Sequence, residues 1–197
     1  MIWWMTNAAA GTWILEEELI TEVRPPVPVG WVDTRSRARW LVDWTEGEPT
    51  WTARLCAMEF DPVMGAKMTW SDALLAAIPV VTRSVRFDGT HFVSAATETI
   101  GDADDDHDGH PGITVQVAHP RAGAGEVYVR HTSDLAWDGV LGADGAITGT
   151  IRYRPIQDQL GASTWWLRLA IKQREADDLT STFSLVPAPA GTTCAGG

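Results

Sequence analysis

Residues 34–44 read Thr-Arg-Ser-Arg-Ala-Arg-Trp-Leu-Val-Asp-Trp. Alternate positions separate into Thr34, Ser36, Ala38, Trp40, Val42 and Trp44 on one side and Arg35, Arg37, Arg39, Leu41 and Asp43 on the other. Successive side chains of a strand point to opposite faces, so this period of two predicts a β-strand with one buried face and one wet, basic face. The stretch before it has the same period. Trp13, Leu15, Glu17, Leu19, Thr21 and Val23 share one phase, and Glu16, Glu18 and Glu22 the other. Glu17 is the single acid in the apolar phase, and its burial would be costly unless it is paired. A helix is the rival reading here, because Leu-Glu-Glu-Glu-Leu is good helix material. An acidic strand beside a basic one lets Glu and Arg meet across the pair; three arginines holding an anionic ligand is the alternative.

Working outward, Arg24–Gly30 holds three prolines and ends any regular element. Glu46-Gly47-Glu48-Pro49 is a turn, and Trp51–Phe60 returns as a strand until Asp61-Pro62 breaks it. Ser71–Ile78 is the best helix, with Ser71 or Asp72 as its cap and Pro79 as its stop. Val80–Phe87 and His91–Ile100 flank Asp88-Gly89, a strong hairpin signal. Ile113–His119 and Glu126–Trp137 form a further pair, Ala143-Asp144-Gly145 turns the chain into Ala146–Arg154, and Trp165–Gln173 and Thr182–Val186 complete the series. Short strands with regular turns predict an all-β fold, an antiparallel up-and-down barrel of about eight to ten strands with one short helix. One domain covers residues 1–197, with 1–10 and 187–197 as peripheral tails.

Eleven Trp in 197 residues can either fill a large core or line a cavity. A net charge of -11 argues against nucleic acid and anionic membrane surfaces as partners. Asp72 interrupts the longest apolar stretch, Met68–Val81, well short of the roughly 18 residues of a spanning helix. Met1–Asn7 lacks the basic and apolar regions of a complete signal peptide, so export is either absent or followed by processing. Cys56 and Cys194 fit one bridge, which would tie down the small-residue tail, or two free thiols.

Gly11-Thr12-Trp13 at the opening of a strand resembles the start of lipocalins and other calycin barrels. In that family the Trp closes one barrel end under a basic residue of the last strand, a place that the resemblance gives to Arg168. Asp104-Asp105-Asp106-His107-Asp108-Gly109-His110-Pro111-Gly112 resembles a loop of uncharacterised exported bacterial β proteins, which share Leu160-Gly161-Ala162-Ser163 and a terminal cysteine. That resemblance implies a barrel-like fold in the periplasm, at the cell envelope or outside the cell.

Asp104, Asp106 and Asp108 alternate and are followed by Gly109, the first half of a Ca²⁺ loop. The His110 carbonyl falls at the seventh position, and Asp102 is a further candidate. Gly112 and Val115 occupy the ninth and twelfth positions, so the closing bidentate acid is missing. A solvated acidic loop is the alternative, and a transition metal through His107 and His110 a third reading. No Gly-x-Ser-x-Gly elbow, His-Glu-x-x-His motif or phosphate-binding Gly loop occurs. His131, Ser133 and Asp134 do not form a triad, since neighbouring strand residues diverge, and His91 and His119 are expected as plain polar surface. The expected function is therefore an exported, non-enzymatic barrel that binds a small apolar or aromatic ligand through Trp13, Glu17, Trp40, Trp44 and Arg168, with Ca²⁺ as a structural cofactor. The alternatives are a structural or interaction protein of the cell envelope with a solid core and, third, an enzyme on a calycin barrel.

Overall fold

The computed structural model describes residues 11–24, 30–44, 48–168, 172–177 and 179–194. The proposed N-terminal tail, the three prolines after Arg24 and the tip of the turn at Glu46-Gly47 lie outside these residues.

The alternating segments become strands: β1 (Gly11–Arg24), β2 (Val32–Trp44), β3 (Thr50–Phe60), β4 (Lys67–Thr69), β5 (Val81–Phe87), β6 (His91–Ile100), β7 (Ile113–His119), β8 (Gly123–Leu141), β9 (Ile147–Ala162), β10 (Lys172–Glu175) and β11 (Ser181–Pro187). The one α-helix among the described residues, α1 (Asp72–Ala77), starts where the Ser71 hydroxyl accepts the Leu74 N–H. It ends at Pro79, which cannot continue it. All sheet pairings between strands are antiparallel. They run β8-β6-β5-β3-β2-β1-β11-β9, and the β8–β9 ladder closes this path into a ring of eight strands. This is the expected up-and-down order, with β4, β7 and β10 as side excursions. The acidic and basic faces of β1 and β2 meet as predicted: Glu18 lies 3.6 Å from both Arg35 and Arg37.

The two ends of the ring differ. At one end the strand ends at Trp44 and Thr50 and the hairpin tips between Phe87 and His91 and between Leu141 and Ile147 gather beside the β1–β11 strand ends. Here the apolar phase is aromatic. Trp44 packs against Trp13, Phe87 and Phe92 with ring centroids 5.5–5.9 Å apart, and Trp51 joins Phe92 at 5.3 Å and Trp137 at 6.2 Å. Phe183 reaches Phe92 where Gly139 on β8 carries no side chain in its way, and Gly149, opposite it on β9, lets the two backbones approach closely. The other end carries the long excursions: β4 with α1, the Asp-rich loop with β7, and the segment holding β10.

Two expectations need correction. Trp165–Gln173 is not one strand. Residues Trp165–Arg168 form a 3-10 turn, residues 169–171 lie outside the described residues, and β10 follows. A strand would put Trp165 and Leu167 on one face, yet Trp165 is 77% exposed while Leu167 is buried. The Leu167 carbonyl instead accepts the Gln159 side-chain N–H. Secondly, β9 does not stop before Pro155. Its ladder with β11 ends at Ile151 while its ladder with β8 continues; beyond that point β9 runs beside β10 through the Arg154–Glu175 ion pair and without backbone pairing, so the missing N–H of Pro155 is tolerated.

Cys56 on β3 is bridged to Cys194. The bridge fastens the segment after β11, which the sequence places as a peripheral tail, to the outer side of the ring.

Candidate functional site

Beyond the aromatic end, the inward phase turns ionic. Glu17 on β1, Arg83 on β5 and Glu98 on β6 each occupy an apolar-phase position and meet inside the ring. The Arg83 guanidinium grips Glu98 with two hydrogen bonds, 2.6 Å from Nε and 3.2 Å from a terminal nitrogen, and lies 3.5 Å from Glu17. Its two faces are covered by Trp40 at 4.3 Å and Trp137 at 4.5 Å, in cation–π geometry. Both indole N–H groups then donate to Glu17, Trp40 at 2.7 Å and Trp137 at 2.8 Å. Burial raises the pKa of Glu17 above its ordinary value, against the pull of Arg83 and the two indoles. Its two hydrogen-bond partners are donors, as an ionised carboxylate requires, while the Glu98 carboxylate adds to the upward push of burial.

Glu17, Trp40, Arg83 and Glu98 line a cavity of about 330 Å³. Leu19, Ala38, Leu55, Leu135, Trp70 and Ile78 supply much of its apolar wall. A second space of about 120 Å³ adjoins it, and Met58, Trp70, His131 and Tyr153 line both. The larger cavity reaches the wall between β5 and β6. Pairing of these strands ends at Ser84 and Ala95, after which β5 follows β3 and β6 follows β8. Thr82, Thr97 and Thr99 frame the gap, with Pro79 beside it, and the Arg83–Glu98 pair spans it where the backbone ladder has stopped.

On the partition, His131 Nε2 lies 3.0 Å from the Tyr153 hydroxyl. Burial pushes the His131 pKa down to about 4, and burial followed by Glu17 and Glu98 pushes that of Tyr153 up, so both are neutral near pH 7. Ser133 shares the inward phase, whereas Asp134 is outside, hydrogen-bonded to Thr97, so the three form no triad. His91 pairs with Asp138 on the surface, and His119 Nδ1 accepts two backbone N–H groups.

The Asp-rich loop leads from β6 to β7 at the same end. One carboxylate oxygen from each of Asp104, Asp106 and Asp108 lies within 4.8 Å of the others. The loop is shaped by its own backbone. Asp104 accepts the N–H groups of Asp108 and Gly109, Asp108 accepts those of the His110 backbone and the Thr114 hydroxyl, and Asp106 Oδ2 accepts the Thr114 N–H. The Asp108 pKa is lowered: burial alone would raise it, and the Thr114 and His110 hydrogen bonds outweigh burial. Asp106 Oδ1 is shielded from solvent and has no hydrogen-bond partner. Three convergent carboxylates can hold a hard divalent cation.

The structure distributes the sequence-derived site residues unevenly. Glu17 and Trp40 do line the larger cavity. Trp13 and Trp44 do not, being spent on the aromatic end. Arg168 is exposed at the close of the 3-10 turn, away from Trp13, whose cross-strand neighbours are Val42 and Pro187. Asp102 turns out of the carboxylate cluster to Arg130 at 2.8 Å, because the Arg130 guanidinium on β8 offers it a partner at the surface. The His110 ring stacks on Tyr128 at 4.1 Å, which bears on a ring-nitrogen ligand and not on the expected carbonyl ligand. Sequence reasoning missed Arg83, Glu98 and Trp137. Their signal was present, since Val81, Arg83 and Val85, like Ala96, Glu98 and Ile100, put a charge in an otherwise apolar phase. No family model matches the chain, and no curated protein or solved structure is detectably similar to it.

Proposed function

We propose that this chain is an exported, non-enzymatic binding barrel whose hollow half takes a small apolar or aromatic molecule, with Asp104, Asp106 and Asp108 forming a structural Ca²⁺ loop. The observation that carries the reading is the pair of adjoining spaces, about 330 and 120 Å³, inside the strand ring. The larger falls in the range of small-molecule sites, and its walls combine many apolar side chains with a few fixed polar ones. The polar groups there are engaged with one another, Glu17 with two indoles, Arg83 with Glu98, and His131 with Tyr153, which favours binding over catalysis. The filled aromatic end is what a solid-core structural protein would have throughout; the hollow half favours a binder. The Cys56–Cys194 bridge supports an oxidising compartment, where calcium is also plentiful.

Trp40 and Trp70 line the larger cavity, so occupation should change the emission of the protein. Titration of the oxidised protein with a panel of apolar dyes and small aromatic molecules should give a saturable shift or quench. Silence across the whole panel would leave the solid-core reading in its place.

A further inference from the structure

The larger cavity holds two carboxylates, Glu17 and Glu98, against one guanidinium, Arg83. Both oxygens of Glu17 receive hydrogen bonds, Oε2 from Trp40 and Oε1 from Trp137, and Arg83 stands 3.5 Å from Oε1. A protonated carboxyl needs an acceptor for its own hydrogen, and none of these neighbours is one. With Glu17 ionised, the triad carries one negative charge in excess. An uncompensated charge in a low-dielectric interior is costly, and it attracts an ion of opposite sign.

Access differs between the members. The Arg83 side chain is 0% exposed, sealed between the Trp40 and Trp137 rings, although one of its terminal nitrogens has no hydrogen-bond partner. The Glu98 side chain keeps 16% exposure on the inner side of β6, beside the gap between β5 and β6. A ligand therefore meets more open surface at the Glu98 carboxylate than at the Arg83 guanidinium, which lines the cavity without exposed side-chain area. Trp70 and Tyr153, which also line the cavity, add π faces that favour a positive charge. We propose that the cavity selects a monocation with an apolar body, a small alkyl- or arylammonium ion, whose charged end sits against Glu98 and whose body fills the apolar wall.

This inference rests on the ligand-binding reading above, and a matched series separates the two. Phenethylamine, phenethyl alcohol and phenylacetate differ chiefly in the charge at one end. Calorimetric titration of the disulfide-intact protein, at a pH where the amine is charged, should give the amine an affinity about tenfold or more above the alcohol, as a charge-assisted hydrogen bond supplies, with phenylacetate weakest. Glu98→Gln should erase the advantage of the amine over the alcohol. An alcohol that binds as tightly as the amine would overturn the charge selection and keep the apolar reading. Preference for phenylacetate would overturn it in favour of recognition by Arg83. The comparison within the native protein decides the matter even if Glu98→Gln does not fold. Absence of binding by all three, alongside a silent apolar panel, would remove the binding reading and this inference together.

Discussion

Trp137 on β8 donates a 2.8 Å hydrogen bond to Glu17 on β1, across the interior of the ring rather than along it. β9 and β11 stand between these two strands in the ring order. The bond therefore ties opposing walls, and Glu17 is the acceptor on which both Trp40 and Trp137 depend.

Glu17→Ala should accordingly be far more damaging than a surface Glu→Ala change. It strands two buried indole N–H groups and leaves Arg83 with Glu98 alone. Breaking a buried charge network in this way costs about 3–5 kcal/mol. Urea denaturation of the variant checks it; a loss below about 1 kcal/mol, the range of exposed pairs, would mean that the triad contributes little.

Stability should also depend on pH through His131. Its folded pKa of about 4 lies below the ordinary 6.5, so the unfolded chain binds a proton more readily than the folded one. The stability from this group is complete above the unfolded value and is lost as pH falls through that window towards 4. The full contribution is about 3 kcal/mol. Glu17, with its raised pKa, works in the opposite sense, gaining stability as pH falls. Denaturation curves of the native protein and of His131→Gln at several pH values isolate the His131 part. Parallel pH profiles for the two would contradict it.

Calcium should raise the melting temperature. The loop lacks a closing acid, so affinity is expected at about 10⁻⁴ to 10⁻³ M, and millimolar Ca²⁺ then adds on the order of 1 kcal/mol by mass action. Asp106, with one shielded oxygen free of hydrogen bonds, is the residue to remove. Asp106→Ala should abolish the increment while the strand ring persists in circular dichroism. Identical melting in Ca²⁺ and in chelator would reduce the loop to a solvated acidic turn.

Gly149→Ala tests how closely β8 and β9 approach at the aromatic end. A Cβ on Gly149 would lie 2.0 Å from the Asp138 carbonyl oxygen and 2.5 Å from the Gly139 Cα. Backbone, not a flexible side chain, would have to move, so a loss of roughly 1–3 kcal/mol is expected, the usual cost of overpacking. Gly161→Ala, on the same ladder with an ordinary φ, would meet only the Tyr128 side chain at 3.0 Å, which can give way, so it is the control and should cost less. Equal losses for the two would refute the close-approach account.

Much of the ring was legible in the sequence because period-two patterning depends on one strand at a time. β6 and β7 match the predicted limits, and β1, β2, β3 and β5 differ by a few terminal residues. What failed depended on neighbours. The continuation of β9 through Pro155 requires knowing that its far edge makes no backbone ladder there, and the fate of Trp165–Gln173 requires knowing that Leu167 is drawn inward while Trp165 is not. The site was half legible for the same reason. Glu17 stands out as an acid in an apolar phase, but that Arg83 and Glu98 are its companions follows only from which strands lie side by side. Trp13 and Trp44 could not be separated from Trp40 by pattern, since all three share the inward phase and differ in their height within the ring.

The β1–β11 ladder gives this molecule an order of events. Trp13 pairs with Pro187, the first described strand against the last. Until β11 has been synthesised and docked, β1 and β9 each present a row of unpaired backbone groups to any passing chain. Closure must also await one of the longest-range contacts available, which makes it slow relative to the hairpins around it. The nascent protein is thus a curled, sticky sheet for most of its biogenesis and becomes a continuous strand ring only at the last step. A chaperone that shields strand edges would act in that interval, and the Cys56–Cys194 bridge would lock the result just after it.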